Sequence, residues 1–155
     1  MTAFRCIPID PAIADRFRAT GIDDGGNRLR RMTADHASPC RVCLRDAQQG
    51  EPVLLGSYHL PRPRGIYWTP SPIFVHESPC APFAATATIP EIVRSRLVSV
   101  RAYDAADQCL YDLGHAGEGD GIDAPLAHAL ADPRTAFVNI HTAKPGCLLC
   151  RVEAA

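Results

Sequence analysis

The sequence predicts an α+β fold: an antiparallel β-sheet carrying about three short helices, in a single compact domain spanning residues 1–155. Three observations predict it. A chain of 155 residues is long enough for one core, burying roughly 70% of the surface it would expose unfolded. Apolar residues alternate over short windows bounded by turn residues, the signature of half-buried strands, and helix signals appear in three places. Fourteen prolines and eleven glycines divide the chain into short elements and ordered turns.

Residues Phe4 to Ile9 alternate and read as a first strand. Asp10 followed by Pro11 is a helix start, with an N-cap oxygen and then proline at the first helical position; this helix is expected to run to about Arg18 and stop before Gly21. A turn at Gly25, Gly26 and Asn27 leads to a strand within Arg28–Ala34, and Pro52–Tyr58 reads as a buried strand. Pro61–Pro72 is an ordered, proline-rich loop carrying Tyr67 and Trp68, followed by a strand at Ile73–His76. Pro90–Leu97 is a short amphipathic helix feeding the strand Val98–Tyr103, where Val98, Val100 and Ala102 share one face. Cys109–Leu113 is expected to pair back on that strand, Asp123–Leu130 is the third helix, and strands at Ala136–His141 and Cys147–Glu153 close the chain.

Sixteen basic and seventeen acidic side chains leave a formal charge of −1. Phosphate affinity rests on an excess of Lys and Arg, so no nucleic acid is expected as a partner. Arg28, Arg30, Arg31, Arg41 and Arg45 lack interleaved aromatics and read as an exposed basic edge. The first residues carry no basic segment followed by an apolar run, and Ala81–Pro90 is too short to span a bilayer. The expected location is therefore cytoplasmic, with no membrane partner. There the seven cysteines remain thiols or bind metal.

Two Cys-x-x-Cys pairs, Cys40/Cys43 and Cys147/Cys150, carry the strongest chemical signal. Thiolates at this spacing reach one ion when the backbone folds into a tight knuckle, and four of them make a closed tetrahedral zinc site. The leading expectation is zinc held by Cys40, Cys43, Cys147 and Cys150, in a domain used for binding or regulation of an unknown protein or small-molecule partner. Two features oppose it: Leu44 and Arg151 stand where knuckles usually place a small residue, and a regular strand would send Cys147 and Cys150 to opposite faces, with Cys150 in the core beside Leu148 and Val152 and Leu149 outside. The alternatives are unshared buried thiols, or a redox pair at Cys40/Cys43 with Arg41 and Arg45 favouring the thiolate.

A second constellation defines the competing hypothesis, a thiol-dependent enzyme or redox protein. His76 and Cys80 leave a buried strand near one rim, and His141 and Lys144 precede the second cysteine pair, so His76, Cys80, His141 and Lys144 form a candidate pocket. The bland reading makes them a strand-end histidine, a loop cysteine and a polar hairpin. His36, His59, His115 and His128 have no partners at diagnostic spacing, and Glu118–Asp123 lacks the ligand pattern of a calcium loop. Tyr67 and Trp68 are either core rings or anchors for a protein partner. Nucleophile-elbow, metalloprotease and phosphate-loop patterns are absent.

Several segments occur in a characteristic order: Pro39–Leu44, Gly50–Leu55, Ser71–Cys80, Arg96–Asp104 and His141–Cys147. Together they resemble a bacterial family catalogued as domain of unknown function 1203, over nearly the whole chain. The resemblance implies a stand-alone bacterial cytoplasmic domain and brings no reaction, cofactor or catalytic residue with it.

Overall fold

A computed structural model describes residues 3–35 and 37–155; His36 lies outside the described residues. The elements are β1 (Phe4–Ile7), α1 (Pro11–Thr20), β2 (Arg30–Thr33), β3 (Pro52–His59), β4 (Pro70–His76), α2 (Glu91–Arg94), β5 (Leu97–Tyr103), β6 (His115–Glu118), α3 (Asp123–Ala131), β7 (Phe137–Thr142) and β8 (Leu148–Ala154). They build two antiparallel sheets, one of five strands in the order β1-β8-β7-β5-β6 and one of three in the order β2-β3-β4. The α+β expectation holds, with the strands divided between two sheets. No helix among the described residues is long and apolar enough to cross a membrane.

Local chemistry explains most boundaries. The Asp10 side chain caps α1 by accepting from the Ala12 N–H at 3.0 Å. Gly21 ends it at φ +68°, where its N–H reaches the Phe17 carbonyl. β4 starts at Pro70, earlier than expected, and contains Pro72. It is an edge strand of its sheet, the position where residues lacking an N–H are tolerated.

One strand lay elsewhere than expected. Cys109 makes a single bridge to Tyr103 and the chain then turns through a 3₁₀ segment at Tyr111–Leu113. The partner of β5 is instead β6, whose His-Ala-Gly-Glu sequence has no apolar alternation to reveal it. Gly119 follows β6, where a Cβ would fall 1.7 Å from the Val93 carbonyl oxygen. Only glycine permits that approach.

The two faces of the five-stranded sheet have different coverings. Val98, Val100, Ala102, Val138, Ile140 and Val152 join the α2 and α3 side chains Ile92, Val93, Leu126 and Ala129 in one buried cluster. A second cluster unites Ala14 and Phe17 of α1 with Leu54, Ile73 and Val75 of the smaller sheet, Leu148 of β8, and both Cys40 and Cys43. The first cysteine pair is thus built into the packing between α1 and the smaller sheet.

Candidate metal centre

The segment from Pro39 to Asp46 folds back on itself. Pro39 bridges Asp46, Cys40 bridges Phe74 of β4, the Cys40 N–H donates to the Arg45 carbonyl at 3.0 Å, and the Leu44 N–H donates to the Cys40 carbonyl at 2.9 Å. The tight turn requires a left-handed residue after the second cysteine, and Leu44 takes it at φ +55°. This conformation costs an L-residue about 1–2 kcal/mol. Leu44 offsets that cost because its side chain is fully buried, worth about 1.5–3 kcal/mol. The sequence-based objection to a knuckle is therefore answered by tertiary packing.

Two further ligand atoms arrive from the end of β4 and the segment after it. His76 is the last residue of β4, paired to Val53 of β3. Arg18 of α1 holds the following chain, with its Nε and Nη2 donating to the His76 carbonyl at 3.1 and 2.9 Å and Nη2 reaching the Ser78 carbonyl at 3.4 Å. Beyond Cys80, the Phe83 N–H donates to the Val42 carbonyl at 2.9 Å and ties the segment to the knuckle.

As a result Cys40, Cys43, His76 and Cys80 present ligand atoms that all lie within 4.8 Å of one another. The Cys40 and Cys80 sulfurs are 3.7 Å apart, and the Cys43 sulfur is 3.7 Å from His76 Nδ1. A tetrahedral ion with bonds of about 2.3 Å to sulfur and 2.0–2.1 Å to nitrogen spaces its ligands about 3.8 Å (S to S) and 3.6 Å (S to N) apart. Both measured separations match those edges. The other ring nitrogen, Nε2, lies 3.7 Å from Glu51 Oε1, beyond hydrogen-bonding distance, so the carboxylate places negative charge behind the ring while accepting from the Gln48 N–H at 2.6 Å.

The electrostatics favour one anionic sulfur in the cluster, that of Cys40. The Cys40 thiol is drawn well below its ordinary value by the interaction with Cys43 and, against the cost of burial, by the N–H groups of Cys43, His76 and Val42. Cys43 is pushed upward because its proton is the one shared with Cys40, and Cys80 is pushed upward mainly by burial. Arg41, 2% exposed, places a buried cation beside the knuckle. Its Nε donates to the Leu148 carbonyl at 2.6 Å and its Nη1 to the Pro39 carbonyl. Burial lowers its pKa to about 10, which leaves it charged at neutral pH.

The second cysteine pair does not join this group. Cys150 faces the helix-covered side of the large sheet, opposite Ile140, and its thiol is held well above its usual pKa by the neighbouring Cys6 thiol and by burial. Cys147 lies in the turn before β8, where its N–H donates to Thr142 Oγ1 at 3.0 Å. A register irregularity between Ile140 and His141 leaves Leu149 as an extra residue in β8, so the consecutive Leu149 and Cys150 enter the same cluster and Leu148 the other, and Leu149 is buried and not outside. The expected four-cysteine set is thereby split by the sheet: Cys40 and Cys43 find their partners on β4 and the segment after it.

The expected His76, Cys80, His141 and Lys144 pocket is likewise divided. His76 and Cys80 line a cleft of about 290 Å³ with Arg45, Asp46, Gln48 and Glu51. His141 is 2% exposed on β7, its Nδ1 bonded to the Gly146 carbonyl at 2.9 Å, while Lys144 is exposed in the adjoining turn. Burial, aided by Arg101, lowers the His141 pKa to about 4. In the proline-rich loop, Trp68 is 37% exposed and donates from Nε1 to the Leu60 carbonyl at 2.8 Å, while Tyr67 and Tyr111 join hydroxyls at 2.7 Å. Along the sequence the four candidate ligand residues fall into two separate groups. The readable signal uniting them was a Cys-x-x-Cys followed by a His-x-x-x-Cys. Glu51 and Arg18 had no signal beyond their residue type, whereas Arg41 was marked by its place inside the first Cys-x-x-Cys.

A family model described as a protein of unknown function, DUF1203, matches residues 37–154, a span that contains all four candidate ligand residues. No curated protein and no solved structure matches the chain.

Proposed function

We propose that this chain, which belongs to the DUF1203 family, is a zinc-stabilised binding or regulatory domain of the bacterial cytoplasm, with zinc held by Cys40, Cys43, His76 and Cys80. The observation that carries the reading is the pair of 3.7 Å ligand separations, which match the edges of a zinc tetrahedron. Three thiolates and an imidazole are a donor set that selects zinc among the common divalent ions. Such a centre carries a net charge of −1, and the buried Arg41 guanidinium supplies compensating charge.

Four protein ligands complete the coordination shell, the arrangement of structural rather than catalytic zinc. The centre joins the knuckle, β4 and the segment leading to α2, so metal binding stabilises the packing of the smaller sheet against α1. An enzyme built on a thiol nucleophile finds less support, since the thiol most disposed to ionise, Cys40, is fully buried and out of reach of a substrate.

Elemental analysis of the purified, tag-free protein tests the reading. About one zinc per chain is expected, lost in Cys43→Ser and retained in Cys147→Ser. Removing it with a chelator should lower the thermal midpoint markedly, because structural zinc supplies on the order of 10 kcal/mol of folding free energy. Metal-free protein with an unchanged midpoint after chelation, or zinc lost equally in Cys147→Ser, would defeat it.

A further inference from the structure

We propose that Cys80 is the sulfur at which a hydroperoxide oxidises this centre and that Cys40 resolves the product as a disulfide, removing two ligands and releasing the metal. The proposal rests on the reading that the four residues hold zinc.

The three sulfurs differ in access. Cys40 is 0% exposed and Cys43 4% exposed, both enclosed in the cluster between α1 and the smaller sheet. Cys80 is only partly buried and lines the 290 Å³ cleft, which has ample room for a molecule as small as hydrogen peroxide. A zinc-bound thiolate keeps a nucleophilic lone pair, so the sulfur that can be reached is the one that reacts. The cleft therefore selects Cys80.

The resolving partner follows from distance. Cys40 Sγ lies 3.7 Å from Cys80 Sγ, and a disulfide needs about 2.0 Å. The knuckle is fixed by the Cys40–Phe74 bridge to β4, by the Arg41 N–H donating to the Phe74 carbonyl, and by Leu44, so the closing movement falls to the Cys80 segment. That segment is held by the Arg18 contacts on one side and by the Phe83 hydrogen bond on the other.

The chemistry balances with a hydroperoxide as the two-electron oxidant. The Cys80 sulfur attacks one peroxide oxygen, the S–O bond forms as O–O breaks, and the departing hydroxide takes a proton to become water, leaving a sulfenic acid. The Cys40 thiolate then attacks the Cys80 sulfur. An S–S bond forms, the S–O bond breaks, and the second hydroxide leaves as water with another proton. Two thiolates are oxidised, one peroxide is reduced to two waters, and only Cys43 and His76 remain to hold the ion.

The holoprotein should be treated with hydrogen peroxide while a chromogenic chelator reports zinc and alkylation followed by peptide mapping reports the thiols. The expected result is about one zinc released per peroxide consumed, a Cys40–Cys80 linked peptide, Cys43 newly open to alkylation, and recovery on adding a dithiol with zinc. Cys80→His keeps a four-ligand shell without the accessible sulfur, and its zinc should leave at least about tenfold more slowly. A Cys40–Cys43 link, or zinc retained while Cys109 or Cys147 oxidises, would overturn the assignment. Protein that holds no zinc from the start would instead refute the metal reading, and the linkage map of that same protein would still decide which sulfurs pair.

Discussion

Replacing His141 by Asn tests whether the buried histidine of β7 is a neutral structural base. The Asn amide can keep the donor to the Gly146 carbonyl that Nδ1 supplies, while removing the titrating ring. His141 falls from an ordinary 6.5 to about 4 through burial and the nearby Arg101. Between those values the unfolded chain binds a proton that the folded protein refuses. Stability is therefore present above pH 6.5 and lost as pH falls toward 4. With those two pKa values the loss between pH 7 and pH 4.5 is about 2.5 kcal/mol. Urea unfolding of the wild type and the variant at the two pH values isolates the effect, because every other acid-sensitive group, the metal ligands included, is common to both. The wild type should lose about 2.5 kcal/mol more than His141→Asn. Parallel losses, within about 0.5 kcal/mol of each other, would show that His141 titrates alike in both states and would refute the inference from its burial.

Four other substitutions, at three positions, probe the centre and the packing of the fold. Glu51→Gln removes the negative charge behind His76 Nε2 and should weaken zinc up to about tenfold in a chelator competition, with the fold intact; unchanged affinity would mean that this charge does not act on the imidazole. Leu44→Ala should cost about 2–4 kcal/mol through the lost burial. Leu44→Gly should cost no more than that although it removes one further carbon, because glycine relieves the φ of +55°; thermal or chemical unfolding of the pair checks the order, which is reversed at ordinary positions. Gly119→Ala drives a methyl against the Val93 carbonyl and should destabilise by about 3 kcal/mol, read as a lowered denaturation midpoint.

Much of the fold was legible because its determinants are local. Asp10, Pro11 and Gly21 set the ends of α1 through hydrogen bonds within a few residues of each other. The alternation of Val98, Val100 and Ala102 set the buried face of β5. β6 was not legible, since His115–Glu118 is a strand only because the exposed edge of β5 is available to pair with it.

The candidate centre divides in the same way. Residue type and short spacing determined that Cys40 and Cys43 form a knuckle able to offer two thiolates to one ion, since that geometry lies within a single turn. Which residues complete the shell was decided by the tertiary structure. His76 and Cys80 reach the knuckle because β4 runs beside it and Arg18 anchors the segment that follows, whereas β8 turns Cys150 to the far side of the larger sheet. Ligand geometry depends on distances across strands and between sheets, and register and packing set those distances, while a sequence records only separation along the chain.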